Sequence, residues 1–537
     1  MTRGSRRRLI RRNLYLVDGA RPAVGPRDRR AGRKVDRVTP SARPAAQQPD
    51  DAQPGVPTAD RQSTAAASVP RAPTPPVELP TTLGALRASD HVHSTVKEEM
   101  RANLVAALRT GSERFPGIVG YDETVLPEVE RAILAGHDLV LLGERGQGKT
   151  RLIRALVSLL DEWTPVIAGS ELNEHPYDPI VPASQRLVAD LGDDLPVGWR
   201  HRSDRYGEKL ATPDTSVGDL IGDVDPVRVA QGRTLGDPDT IHYGLVPRTN
   251  RGIFAVSELP DLAERIQVAL LNVLEERDIQ VRGYQLRLPL DLLLVASANP
   301  EDYTNRGRII SPLKDRFGAE VRTHYPLSLE LETDLVRQEA GLVAEVPDHV
   351  LEVLARFTRG VRESPAIDPR AGVSARFAVA AAETVAAAAL RRGALTGEDD
   401  PVARVGDTES VTSTLRGKVE FESGEEGRET DVLSHLLRVA TAETFRAHLS
   451  GLDLSGFTDL VADGKTIATG ETLSAAEVLD QVGTVPGLAK VLERLGLGDA
   501  PSAGQAAAGV EMVLEGLHLT RRLAKDAGDD GRTVYGG

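Results

Sequence analysis

"GERGQGKT", residues 143–150, decides the fold of this 537-residue chain. It satisfies G-x-x-x-x-G-K-[ST] and lies between an apolar run, "HDLVLLG", and a helix-forming run, "TRLIRALVSLLDEW". That strand–loop–helix setting is what the pattern needs to act as a phosphate cradle. Its glycines let the backbone wrap an anion with successive N–H groups pointing inward, and the helix start adds a favourable dipole. Lys149 then reaches the β and γ phosphates, and the Thr150 hydroxyl takes one position on magnesium. Gly143, Glu144, Arg145, Gly146, Gln147, Gly148, Lys149 and Thr150 are the expected nucleotide-binding residues, and ATP with Mg2+ the expected cofactors.

Two further apolar runs follow, "GIFAV" at 252–256 and "DLLLVASAN" at 291–299. Continuous apolar strands alternating with helices predict a parallel sheet covered on both faces. The first of these runs ends in Ser257-Glu258, where an ATPase strand usually ends in Asp-Glu. In that pair the Asp holds the magnesium shell and the Glu prepares a water. Ser257 can hydrogen-bond a metal-bound water but brings no negative charge. Magnesium commonly keeps several waters, so Thr150, the phosphates and water still complete its shell. Binding is expected to survive at a reduced hydrolysis rate, and Ser257→Asp is expected to accelerate hydrolysis.

"FPGIVGYDETV…LLGERGQGKT", "DTIHYGLVPRTNRGIFAVSELPDL", "LLLVASANPED" and "SPLKDRFG" together resemble the ATPase (I) subunit of magnesium chelatase and the related MoxR-type AAA+ proteins. The similarity runs in order over about 115–380. It implies an α/β fold: a P-loop AAA+ αβα sandwich with a parallel sheet, a helical lid, and a further mostly helical C-terminal region. Ile118 and Val119 resemble the apolar lining of an adenine pocket. Glu258 matches the glutamate that polarises the attacking water. Asn299 in "SANP" resembles the sensor that reads the γ-phosphate. Arg316 in "LKDRFG" resembles an arginine finger acting on a neighbouring subunit's nucleotide, and Arg376 in "GVSARF" resembles a second sensor on the lid. Glu258, Asn299, Arg316 and Arg376 are thus the implied catalytic set, with Thr150 and Ser257 at the metal. A finger acting in trans implies a homo-oligomer, a hexameric ring. The usual partner in this clade carries a von Willebrand A domain; its D-x-S-x-S motif is absent from this sequence, so a separate chain is expected to supply it. A chelatase-like ATPase that remodels, or loads metal into, a partner protein is expected rather than chlorophyll synthesis itself. A nucleotide-responsive scaffold with weak hydrolysis is the alternative that Ser257 raises.

The expected organisation is a disordered basic, Pro-rich tail at 1–82 and an AAA+ nucleotide-binding domain at 83–326, with a long insertion at 165–250. A helical lid follows at 327–395, then an acidic Gly-rich linker at 396–430 and a C-terminal helical region at 431–537. Net charge is −14, but residues 1–45 hold thirteen Arg and Lys34 against three Asp, leaving the rest at −25. So acidic a body argues against general nucleic-acid binding. Arg282 and Arg287, in a hairpin expected over 277–289, are the feature a DNA translocase would use, and no sigma-54-activator loop precedes Ser257. No apolar run reaches the roughly 18 residues a membrane span needs. Zero cysteines fit a reducing compartment, and the cytoplasm is the expected location. His91 and His93 have metal-ligand spacing, but no acidic or third histidine partner is expected near them.

Overall fold

The computed structural model describes residues 75–76, 78–232, 240–275, 279–281, 284–286, 288–300, 308–368, 372–462, 464–498, 500–528 and 532–537. Most of the tail expected at 1–82 lies outside these residues, as do Arg282 and Arg287. The last residues of that tail are bound: the Trp199 indole N–H donates to the Pro80 carbonyl at 2.7 Å, and Val197 N–H donates to Thr81 O at 2.9 Å.

The strands in chain order are β1 (Leu139–Leu142), β2 (Trp163–Ile167), β3 (Val197–His201), β4 (Tyr206–Leu210), β5 (Gly222–Val224), β6 (Ile241–Tyr243), β7 (Gly252–Ser257), β8 (Ile279–Val281), β9 (Tyr284–Leu286), β10 (Leu292–Ala298) and β11 (Ala319–Arg322). Five of them form one parallel sheet in the order β11-β1-β10-β7-β4. Strand side chains alternate between faces, and here both faces are buried. Leu139, Leu141, Ile253, Ala255, Leu293 and Val295 pack under the helices Val96–Thr110, Val125–Ala135 and Lys149–Ala155. Val140, Leu142, Phe254, Val256, Leu292 and Leu294 face the other way, against Ile266, Leu270 and Val273 of the helix Glu264–Glu275. This is why these strands read as unbroken apolar runs. It is an αβα sandwich around a parallel sheet, with the glycine loop leaving the end of β1.

The 165–250 stretch is not only an insertion. It holds β3, which pairs antiparallel with β2, and β4, an edge strand of the main sheet. "YGEKL" hides β4 from a sequence reading because an edge strand is half solvated: four of its five residues are half-buried and Leu210 is exposed. β8 and β9 pair antiparallel as the expected hairpin.

Just before β4, Arg205 forms a two-pronged ion pair with Glu99 of the helix Val96–Thr110, both N···O distances being 2.7 Å. Both side chains are at most 3% exposed, and Arg205 also donates to the Arg251 carbonyl at 2.7 Å. Removing one partner of such a pair strands a buried charge. Glu99→Ala is expected to lower the unfolding free energy by about 3–5 kcal/mol. Urea unfolding followed by tryptophan fluorescence measures this, since Trp163 and Trp199 both sit on the adjoining antiparallel β2–β3 pair.

Beyond Pro326 the chain is helical, as expected, with one addition. β12 (Ile467–Gly470), β13 (Ala524–Ala527) and β14 (Arg532–Gly536) form a small antiparallel sheet in the order β12-β14-β13. Buried apolar residues from Val336 to Tyr535 make one continuous cluster. The linker expected at 396–430 is corrected by that cluster: Ala403, Val405, Val411, Leu415 and Val419 belong to it. Three of its charges, on Glu398, Arg404 and Asp407, are drawn into the interior and paired there. Arg392 and Arg404, each 1% exposed, bond Glu398, Asp407 and Glu511.

Candidate functional site

β1 runs directly into the loop, and the helix Lys149–Ala155 begins at its last glycine. Gly146 and Gly148 have φ of +76° and +75°, the left-handed region that glycine tolerates. Gly146 has a second reason to lack a side chain: a Cβ there would lie 2.0 Å from Ser374 Oγ. Gln147 braces the loop, its Oε1 accepting from Glu144 N–H at 3.0 Å and from Thr323 Oγ1 at 2.8 Å. The Tyr121 hydroxyl donates to the Gln147 carbonyl. Burial pushes the Tyr121 pKa up to about 12, which keeps that hydroxyl a donor. Lys149, 6% exposed, spans the loop and donates to Glu144 O at 2.9 Å and to Gly143 O.

The loop floors a cavity of about 870 Å³. Ile118 and Val119 line one part of it and Arg145 to Thr150 another, while Glu258, Arg376 and Phe377 close it. Arg145, Lys149, Arg151, Arg154, Arg376 and Lys418 face it against the carboxylates of Glu258, Glu339 and Glu420. That cationic excess suits a polyphosphate. A second cavity of about 860 Å³ lies between the helices Asp348–Glu363 and Glu429–Leu449. Arginines and carboxylates are mixed on its walls, and it has no strand end or P-loop.

Three strand ends meet beside the cradle. Gly143 N–H donates to Ala298 O at 3.2 Å, which sets Asn299 next to the loop. Asn299 is 4% exposed, and its Oδ1 has no hydrogen-bond partner among the described residues. A buried amide oxygen left this way is a polar contact awaiting a ligand or water. Glu258 leaves β7 at φ +58°, unusual for a side chain other than Gly, Asn or Asp, and its N–H donates to Ser297 Oγ at 3.3 Å. That turn swings its carboxylate to the cavity wall. Thr150, Asn299, Glu258 and the cationic cradle are a donor and acceptor set that fits Mg·ATP. Bound there, the metal would screen the phosphate charge.

Ser257, 6% exposed, does not stand alone. Its Oγ donates to Glu208 Oε1 at 3.2 Å across the β4–β7 pair. Glu208 Oε2 accepts from Arg154 Nε and Nη2 at 2.9 and 2.8 Å and from the Tyr206 hydroxyl at 3.0 Å. Burial, with the neighbouring carboxylate, pushes Tyr206 upward so that its hydroxyl stays a donor. Glu208, Arg154 and Tyr121 are site residues the sequence reading missed. The detectable signal for Glu208 was the alternation Tyr206, Glu208, Leu210, too short to identify a strand without its partner.

The segment ahead of the helix Ala375–Thr396 folds over the loop. Ser374 touches Gly146, and Tyr325 donates to the Arg145 carbonyl at 2.9 Å while Arg362 stacks on its ring at 4.2 Å. Arg376 sits in the first turn of that helix and lines the cavity. Arg316 is elsewhere. It ends the helix Ser311–Arg316, is 44% exposed, and pairs with Glu275 at 2.5 Å rather than lining this chain's cavity.

His91 and His93 do meet a third histidine, contrary to the sequence expectation. His175 Nε2 lies 3.2 Å from His91 Nε2, and its ring centroid is 4.3 Å from that of His93. Its Nδ1 accepts from Tyr177 N–H at 3.0 Å, and burial pushes its pKa down to about 2. A neutral ring whose Nδ1 accepts must carry its proton on Nε2, so His175 donates to His91 instead of offering a metal a lone pair. Among the described residues no group of three or more His, Asp or Glu is arranged to hold a metal by itself, and no helix is long and apolar enough to cross a membrane.

No family model matches the chain. Among curated proteins it is similar to the magnesium-chelatase subunit ChlI of a Nostoc species, 29% identical over 245 residues that make up 44% of this chain and 62% of that protein. It is 31% identical over 239 residues to the same subunit of a Synechocystis species, covering 42% of this chain and 61% of that one. The chain thus spans less than two thirds of the length of these relatives. Among solved structures, a chain from the complex of the magnesium-chelatase subunits BchI and BchD matches with a TM-score of 0.32 and 22% identity, over 58% of this chain and 97% of that one.

Proposed function

We propose that this chain binds and hydrolyses ATP as a ring-forming AAA+ motor of the magnesium chelatase and MoxR type, and that it uses the cycle to remodel, or load metal into, a partner protein. The observation that carries the reading is one cavity bounded by the P-loop, by Glu258 at a strand end and by the lid residue Arg376. Ile118 and Val119 would hold the base. Lys149, Arg145 and the loop amides would hold the phosphates, while Thr150 and Ser257 would face the metal. Glu258 would accept a proton from the attacking water, Asn299 would orient that water against the γ-phosphate, and Arg376 would couple lid position to the nucleotide. Arg316 would reach the cavity of the next subunit in a homo-oligomeric ring, a hexamer. A separate chain with a von Willebrand A domain is the partner type, and the setting is the cytoplasm.

Steady-state ATP hydrolysis by the purified chain tests this, with Glu258→Gln as the blank. Loss of the catalytic carboxylate is expected to lower kcat by about 100-fold or more while nucleotide still binds, in line with what general bases contribute. Equal turnover in the two proteins would reject Glu258 as the base. Negligible turnover in both, with intact ATP binding, would favour the scaffold reading that the neutral Ser257 raises.

A further inference from the structure

We propose that Glu208 supplies, through the Ser257 hydroxyl, the negative charge that an aspartate at the end of β7 would otherwise bring to the metal shell, so that the acid of this site is divided between two adjacent strands. The inference rests on the nucleotide reading above.

Register is the first support. β4 and β7 are parallel, with Leu210 opposite Ser257. Glu208, two residues earlier, therefore lies on the same face as Ser257, at the diagonal distance a long side chain can cross. That face is the one the P-loop helix covers through Leu152 and Ile153, and Tyr206 packs into the same cluster. Hydrogen bonding is the second. A serine hydroxyl has one proton and two lone pairs. With the proton committed to Glu208 Oε1, the lone pairs remain to accept, and donation to an anion polarises the oxygen. The pair offers what an aspartate offers, an acceptor backed by a full negative charge. Orientation is the third. Arg154 and Tyr206 take Oε2, which turns Oε1 toward Ser257. Arg154 offsets part of the charge, but its side chain is 63% exposed, and ion pairs at such positions are weak and solvent-screened.

On this proposal the expectation that Ser257→Asp accelerates hydrolysis reverses. In the native background that change sets two carboxylates side by side, and like charges so placed resist joint ionisation. The gain from an aspartate should appear only when Glu208 has lost its charge.

The test compares the full-length native chain with Glu208→Gln, Ser257→Asp and the double variant. A fluorescent ATP analogue is titrated in EDTA and then over a range of Mg2+, and Mn2+ occupancy is followed by electron paramagnetic resonance. Glu208→Gln keeps the shape and the acceptor but removes the charge. It is expected to raise the Mg2+ concentration for half-maximal tightening by about fivefold to tenfold, the difference between a charge-assisted and a neutral hydrogen bond. Affinity in EDTA should not fall, since the change removes a negative charge and leaves Arg154 beside the cavity. The double variant is expected to return to within about twofold of the native value, because the charge has only moved. Ser257→Asp alone should bring no improvement. A native Mg2+ midpoint in Glu208→Gln, or a double variant no better than Glu208→Gln, overturns the proposal; the latter would make Glu208 a structural residue. If no form binds the analogue with or without Mg2+, the nucleotide reading itself falls, and this inference with it.

Discussion

Lys149→Ala is expected to weaken ATP binding by at least about 100-fold without unfolding the protein. Lys149 is a flexible cation in a loop that otherwise presents backbone amides and Arg145, and its ammonium lies among the carbonyls of Gly143 and Glu144. Hydrogen bonds to charged groups contribute roughly 1.5–3 kcal/mol each, and two of them lost to the β and γ phosphates amount to at least that factor. The fold should tolerate the change, since Lys149 lines a cavity and the space its side chain vacates opens to water there. Calorimetric titration with ATP, beside a circular dichroism melt, reads both effects. Undiminished affinity in a folded variant would mean that the loop is not a phosphate cradle.

Arg316→Ala should leave ATP binding in place and reduce kcat by about 1,000-fold, the lower end of what arginine fingers contribute. The exposed ion pair with Glu275 is no obstacle to its moving, because surface pairs are typically worth less than about 1 kcal/mol. A finger that serves the neighbouring subunit has a distinctive signature. Arg316→Ala has an intact cradle and Lys149→Ala an intact finger, so rings assembled from both contain some interfaces with one good copy of each. Mixing two inactive proteins should therefore recover activity, with a maximum at intermediate ratios. Mixtures that never exceed the sum of their parts would remove the support for action in trans.

The cavity offers a physical link between these two experiments. Ser374 abuts Gly146, and Tyr325 binds the Arg145 carbonyl, so the lid touches the same loop that Lys149 spans. A change in the loop on nucleotide binding has a direct route to the helices beyond Pro326. The proposed motor would need such a route from phosphate chemistry to the movement of a large element.

Much of this architecture was legible in one dimension, for a definite reason. β1, β7 and β10 are buried on both faces, so nearly every residue in them is apolar, and "LVLL", "GIFAV" and "LLLVASA" stand out without knowledge of their neighbours. A cradle made from consecutive residues is local too: the glycines, Lys149 and Thr150 lie within eight positions, and their order is their geometry. The sequence by itself therefore determined the sandwich, the glycine loop between β1 and the helix Lys149–Ala155, and the place of Glu258 at a strand end. What only the tertiary structure decided are meetings between residues far apart in the chain. Glu208 reaches Ser257 because hydrogen bonding between β4 and β7 sets a register, and a shift by one residue would turn it to the opposite face. His175 reaches His91 by the folding of the long excursion between β2 and β3. Residues 396–430 read as a linker because acidic, glycine-rich sequence is ordinarily solvated, yet Glu398 and Asp407 are held in the core by Arg392 and Arg404. A buried charge is tolerable only when its partner is in place, and which residues become partners is settled by packing, which no local pattern records.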